Sequence, residues 1–192
     1  MTSFGKFHQH TKPILTQEMS RVSREVLAKE GRLVLRSIVC MLAEINNDDT
    51  ILAIAANQMG INLPLFVTRI PLLLNCTAPT TDKWPKDMGL YQDAEAYLLP
   101  TYIGIGPRDL TAPESCLSYH KAKKVVKEVK RFSTILFTGY QVDYDSAMRS
   151  KDELSTLHTT PVHYTLTGLA AQVAQHEVDH LFGKGIWQHD AH

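Results

Sequence analysis

The sequence predicts an α+β fold, with antiparallel or mixed β-sheets packed around a central helix late in the chain and another helix near the start. Three observations predict it. Runs rich in β-branched and aromatic residues fill the middle of the 192-residue chain. Helical patterns do not alternate with them, which argues against a parallel sheet built from β-α-β units. The last strong pattern is helical. Leu169-Ala170-Ala171-Gln172-Val173-Ala174-Gln175 leads into His176-Glu177-Val178-Asp179-His180, and Gly183 and Gly185 stop the helix soon after.

Each element follows from local pattern. Residues 1–13 read as a flexible N-terminus, and residues 14–192 as one domain. From Arg32 to about Asn46, Val34, Ile38, Met41, Leu42 and Ile45 recur at helical spacing, and Asn46-Asn47-Asp48-Asp49 breaks the pattern. Ile51 to Ala56 is small and apolar, and Leu63 to Ile70 is β-rich. Residues 75–89 mix Pro, Thr, Gly and charges and predict a long loop. Tyr97 to Ile105 predicts a strand. Lys121 to Tyr140 is the clearest β region, with a possible bend at Gly139, and His163 to Leu166 predicts a short strand before the last helix.

Composition narrows the function. Apolar content of 44% and charge content of 21% are ordinary for a globular protein. A formal net charge of zero gives no footprint for nucleic acid or an anionic membrane, and no apolar run reaches the length of a membrane span. The N-terminal residues lack a secretory or transit pattern, so a cytoplasmic protein is expected. Cys40, Cys76 and Cys116 form no disulfide framework and fit a reducing compartment.

The pattern His-Glu-x-x-His carries the chemistry. On a helix, residues four apart share a face, so two imidazoles can hold one metal ion while Glu177 reaches a water on that ion. The bland alternative is a surface helix with two solvated histidines, which is easier to reach by chance in a chain with nine His. Two His leave a catalytic site of this kind one protein ligand short. The extended motif that adds a third His fails here, because Ile186 occupies the required position. Twelve residues follow His180 and none is Glu, while His189 and His192 lie close to the end. An upstream ligand is therefore expected. Cys116, in Pro113-Glu114-Ser115-Cys116-Leu117-Ser118, is the best candidate, since a divalent cation can make its thiol a thiolate. Its ordinary reading is a small buried thiol.

With these residues in view the chain resembles the peptide deformylase family. That family carries a glycine-containing motif ending in Gln, a Glu-Gly-Cys-Leu-Ser motif and a His-Glu-x-Asp-His motif, in that order. The corresponding stretches are Ile51-Leu52-Ala53-Ile54-Ala55-Ala56-Asn57-Gln58, Glu114-Ser115-Cys116-Leu117-Ser118 and Gln175-His176-Glu177-Val178-Asp179-His180-Leu181. The resemblance spans about Ile14 to Trp187. Ile51 and Ala53 replace the motif glycines, and Ser115 replaces the middle glycine of the Cys motif. Family glycines there allow an unusual backbone and close approach of substrate, and a β-branched Ile does not easily adopt positive φ.

The resemblance implies hydrolysis of the N-formyl group from N-formylmethionyl peptides, releasing formate. It implies metal ligands Cys116, His176 and His180, with Glu177 as general base and the Gln58 amide and Leu117 backbone N–H as donors to the oxyanion. Substrate contacts are expected at Leu52, Ala53, Ile54 and Ser115. Leu169 and Val173 share the face of His176 and with Leu52 can form an apolar wall for a Met side chain, although each also reads as plain core packing. Gln172 falls on the same face and is odd in such a pocket. Arg131 matches a family Arg that can contact the peptide backbone; its alternative is a solvated strand charge. Asp179 can orient a ligand His or pair with a cation. The lysines at 121, 123, 124, 127 and 130 read as the polar face of exposed strands.

A Cys and two His suit Zn(II), Fe(II), Co(II) or Ni(II), and the resemblance implies Fe(II) in the cell. Nascent formylated peptides are the implied partners, with the ribosome near its exit tunnel as a further one, and no membrane or sequence-specific nucleic acid. Two other functions remain open: a metallopeptidase with an unusual third ligand, and a deformylase-like protein that binds metal or peptide without turnover, which the replaced glycines motivate.

Overall fold

The computed structural model describes residues 13–16, 29–48, 50–70, 72, 94–119, 126–144 and 157–189. Residues 1–12, the expected loop at 75–89, the lysines at 121, 123 and 124, and His192 lie outside the described residues. The fold is α+β, and every strand pairing among the described residues is antiparallel.

Helix α1 spans Gly31–Asn47 and buries Val34, Leu35, Ile38, Met41 and Ile45 on one face. It ends where Asp48 turns its carboxylate onto Thr50, accepting from the backbone N–H at 2.9 Å and the hydroxyl at 2.7 Å. Five strands then form one sheet: β1 (Ala53–Ala55), β2 (Leu65–Thr68), β3 (Glu95–Gly104), β6 (Thr134–Val142) and β7 (Thr159–Thr167), in the order β1-β2-β3-β6-β7. β4 (Leu110–Ser115) and β5 (Val126–Arg131) pair separately as a two-stranded sheet. Helix α2, Gly168–Leu181, follows β7 directly.

Strand alternation distributes the core. Ile54, Leu65, Val67, Ala96 and Leu98 pack with the buried face of α1. Their neighbours Ala55, Phe66 and Tyr97 join Ile135, Phe137 and the α2 residues Ala170, Ala171, Ala174 and Val178 in a second cluster. A period of two thus sends alternate residues of β1–β3 to opposite helices. It also explains why all four residues of β2 are buried.

Several expectations needed correction. The β region from 121 to 140 is two strands in two sheets, divided at Phe132-Ser133. The strand before α2 is nine residues long rather than four. β4 was not expected at all, because Pro113 and alternating exposed polar positions mask its pattern. Gly139 belongs where it is: a Cβ there would lie 3.2 Å from the Leu98 carbonyl oxygen and 3.3 Å from Pro100 Cα, beside the register shift between Leu98 and Thr101. Among the described residues, Leu99 is the one non-glycine with positive φ, at 50°. Ile51, Ala53 and Ser115 therefore need no left-handed backbone, and Ile51 is buried in the α1 cluster. No helix among the described residues is long and apolar enough to cross a membrane.

Candidate metal centre

α2 places His176 and His180 one turn apart with their Nε2 atoms 3.2 Å from each other. Cys116 follows β4 immediately, and its Sγ lies 3.2 Å from His180 Nε2. The three ligand atoms all fall within 4.8 Å of one another. Ligand atoms held tetrahedrally around one ion at 2.0–2.3 Å sit roughly 3.3–3.6 Å apart. The donor set therefore fits one divalent cation in spacing and in type.

Glu114 fixes the direction of the first imidazole. Its Oε2 accepts from His176 Nδ1 at 2.8 Å, which leaves the His176 Nε2 lone pair facing the other two ligand atoms. Burial opposes the Glu114 charge, but hydrogen bonds from Arg131 and His176 bring its pKa down to about 2. Glu114 and Cys116 lie two residues apart, so an extended backbone presents both to the same side. Burial also opposes a Cys116 thiolate, yet the His180 and His176 rings hold that group well below its ordinary range. Burial lowers the His176 pKa, but hydrogen bonds with Cys116 and Glu114 and their charges raise it well above its ordinary value. A divalent cation held by Cys116, His176 and His180 would favour the deprotonated thiol and the neutral imidazoles.

Two further polar groups face the centre. Glu177 is 4% exposed, its Oε2 has no hydrogen-bond partner, and burial raises its pKa despite the nearby imidazoles. Gln58 lies in the 3-10 turn Ala56–Met59 that follows β1. Its Oε1 accepts from the Ala55 backbone at 2.8 Å, which orients its Nε2 toward Cys116 Sγ at 3.6 Å and Ser118 Oγ at 3.4 Å.

The other expected residues divide. Leu52 and Ala53 pack with Ile70, Leu169 and Val173 in a small apolar cluster beside His176 on α2. Ser115 and Leu117 are both exposed. Ile54 is corrected: its side chain is fully buried in the α1 cluster, on the face of β1 opposite Ala53. Arg131 is corrected as well. It is 2% exposed, its Nε and Nη2 donate to Glu114 at 2.8 and 2.9 Å, and its Nη1 donates to Asp179. A guanidinium committed to two buried carboxylates is not available to a peptide. Asp179 thus pairs with a cation. Gln172 turns to Glu114, 3.5 Å away, which accounts for a polar residue beside Leu169 and Val173.

Sequence reasoning missed Glu114, Asn57 and Gln175 as site residues. Asn57 Nδ2 donates to the His180 carbonyl at 2.6 Å, joining the first motif to α2. Gln175 pairs with Phe132 like a strand neighbour, accepting from its N–H at 3.0 Å and donating to its carbonyl at 2.9 Å. The signal for Glu114 was present in the spacing Glu-x-Cys. The partners of Asn57 and Gln175 are distant in sequence and gave none.

A Cys-His-His cluster on an α+β scaffold, beside a buried carboxylate, defines a hydrolase of the metalloenzyme class. The chain matches the polypeptide deformylase family over residues 5–191 and belongs to it. Solved structures with the same fold include a peptide deformylase from Synechococcus elongatus in complex with actinonin, at 21% identity and TM-score 0.67, covering 97% of this chain and 79% of that one. A peptide deformylase from Thermotoga maritima gives 21% identity and TM-score 0.67, with 97% of both chains covered. A probable peptide deformylase from Synechococcus phage S-SSM7 gives 22% identity and TM-score 0.67, covering 96% of this chain and 99% of that one. No protein of curated function matches the sequence.

Proposed function

We propose that this protein hydrolyses the N-formyl group of N-formylmethionyl peptides, with residues 14–192 as its catalytic domain. The observation that carries the reading is the convergence of Cys116, His176 and His180 beside Glu177 and Gln58. The three ligand residues hold one divalent cation, Fe(II) in the cell, with Zn(II), Ni(II) or Co(II) able to replace it. When bound, that cation supplies Lewis acidity, lowering the pKa of water and stabilising charge on a carbonyl oxygen.

The chain's own residues do the rest. Glu177 accepts a proton from the water that adds to the formyl carbon. It hands that proton to the amine nitrogen as the C–N bond breaks, leaving formate and a free amino terminus. Burial suits it to the task, because a raised pKa lets one carboxyl both take and return a proton. Gln58 Nε2 and the Leu117 backbone N–H donate to the oxygen that gains charge. Leu52, Ala53, Leu169 and Val173 seat the methionine side chain, with Ser115 at the exposed edge. The protein acts in the cytoplasm on nascent chains near the ribosome.

The test is formate release from a formyl-Met tripeptide by protein prepared without oxygen and loaded with Fe(II), beside Glu177→Ala. Turnover that falls by about 10²–10⁴-fold in the variant, with metal retained, is expected. Folded, metal-replete protein that releases no formate would overturn the proposal.

A further inference from the structure

Beyond α2 the chain doubles back onto the site. Gly183 reverses it at φ 72°, and Lys184 N–H donates to the Asp179 carbonyl at 2.8 Å. A short 3-10 turn, Ile186–Gln188, then delivers His189 to Asp179. His189 Nε2 lies 3.0 Å from Asp179 Oδ2, and His189 Nδ1 lies 3.1 Å from Arg108 Nη2. An arginine can only donate. The Nδ1 of His189 must therefore accept, which puts the ring proton on Nε2, where it is donated to Asp179. Arg108 is itself held, donating from Nε to the Lys130 carbonyl at 3.2 Å and lying 5.9 Å over the Phe132 ring.

Asp179 needs this partner. The buried chain His176–Glu114–Arg131–Asp179 contains two carboxylates and one guanidinium. Arg131 spends Nε and Nη2 on Glu114 and offers Nη1 to Asp179. Tyr102 donates to Asp179 Oδ1 at 2.9 Å, and His189 supplies the remaining bond to Oδ2. A buried carboxylate short of donors draws its cation toward itself. Here that pull would act on Arg131 at the expense of Glu114, and so on the ring of His176.

We propose that His189 is a positioning residue: by donating to Asp179 it holds the Arg131–Glu114 pair, and through it the His176 imidazole, in the arrangement that binds the cation. The proposal rests on the reading of Cys116, His176 and His180 as ligands.

The test uses the full chain, stripped of metal and titrated with Co(II) without oxygen against a competing chelator. The readouts are affinity and the thiolate-to-cobalt absorption band. In His189→Ala, affinity is expected to fall about 10-fold with a shifted band, and kcat for formate release to fall more than KM changes. His189→Gln keeps one donor and one acceptor and is expected to restore affinity to within about 2-fold of the parent. A His189→Ala protein that melts earlier yet binds Co(II) with the parent's affinity and band overturns the proposal, as does a Gln variant no better than Ala. Arg108→Ala removes the donor to Nδ1 from an exposed position, together with the bond to the Lys130 carbonyl and the contact with the Phe132 ring, and guards against a His189 variant that does not fold. Its affinity should fall about 3-fold, and an unchanged value counts against the proposal. A parent protein with no thiolate band removes the ligand reading and this inference with it, whereas a normal parent beside unchanged variants removes this inference alone.

Discussion

Glu114 shows how much of the Cys116, His176 and His180 cluster depends on a residue outside it. One carboxylate accepts from His176 with one oxygen and serves Arg131 with both, so it sets an imidazole's direction and neutralises a buried guanidinium together. Removing it leaves Arg131 with a buried charge half-paired and frees His176 to rotate. Glu114→Ala should weaken Co(II) binding by about 10–100-fold, measured by chelator competition. An affinity unchanged in folded protein would show that His176 is oriented by something else. At this scale the sequence was readable where spacing fixes geometry, as for the residues that converge around Cys116. The i, i+4 imidazoles, Glu177, and Gln58 at the end of its motif could all be named. Arg131 and Ile54 could not be placed, because a strand residue's role depends on what covers its face. For Arg131 the cover is Glu114 and Asp179, from elements 17 and 48 residues away.

The elements are joined to α2 by side chains that imitate backbone. Gln175 pairs with both the N–H and the carbonyl of Phe132, at the point where β5 ends and β6 has not begun. That contact ties the two sheets to the helix that carries both His residues. Gln175→Leu keeps the volume but leaves both Phe132 groups without these partners, and should cost about 1–3 kcal/mol in urea unfolding. Stability equal to the parent's would show that water satisfies Phe132 equally well. The helices were legible because a 3.6-residue period with defined stops has few alternatives, and Gly183 does end α2 in the left-handed conformation. The strands were less so. Local pattern marks β5 and β6 as extended but carries no information on which sheet each joins, and β4 buries only Ala112 and Glu114, too few apolar positions to register as a strand.

For the whole molecule, the sheet's two covered faces impose a cost that pH can reveal. The second core cluster centres on Phe66, Tyr97 and Phe137, whose ring centroids lie 5.3–6.1 Å apart. Tyr97 is fully buried, and its hydroxyl finds a partner in Glu95 Oε2 at 2.6 Å, an oxygen that also accepts from the Leu72 N–H at 2.8 Å. Burial raises the Glu95 pKa, and these two hydrogen bonds offset only part of that effect. A carboxyl whose folded-state pKa lies above its unfolded one contributes stability that is complete below the unfolded value and is lost as pH rises through the folded value. Glu95→Gln keeps an oxygen to accept both bonds but never acquires the buried charge. Measured by urea unfolding from pH 4 to pH 8 with metal bound, the parent should lose stability relative to Glu95→Gln as pH rises, and the gap should stop growing once Glu95 is fully ionised. Other groups that titrate over this range are common to both proteins and cancel in the difference. A difference that stays constant across the range would mean that Glu95 ionises in the core at no cost, and that the aromatic cluster tolerates a charge at its edge.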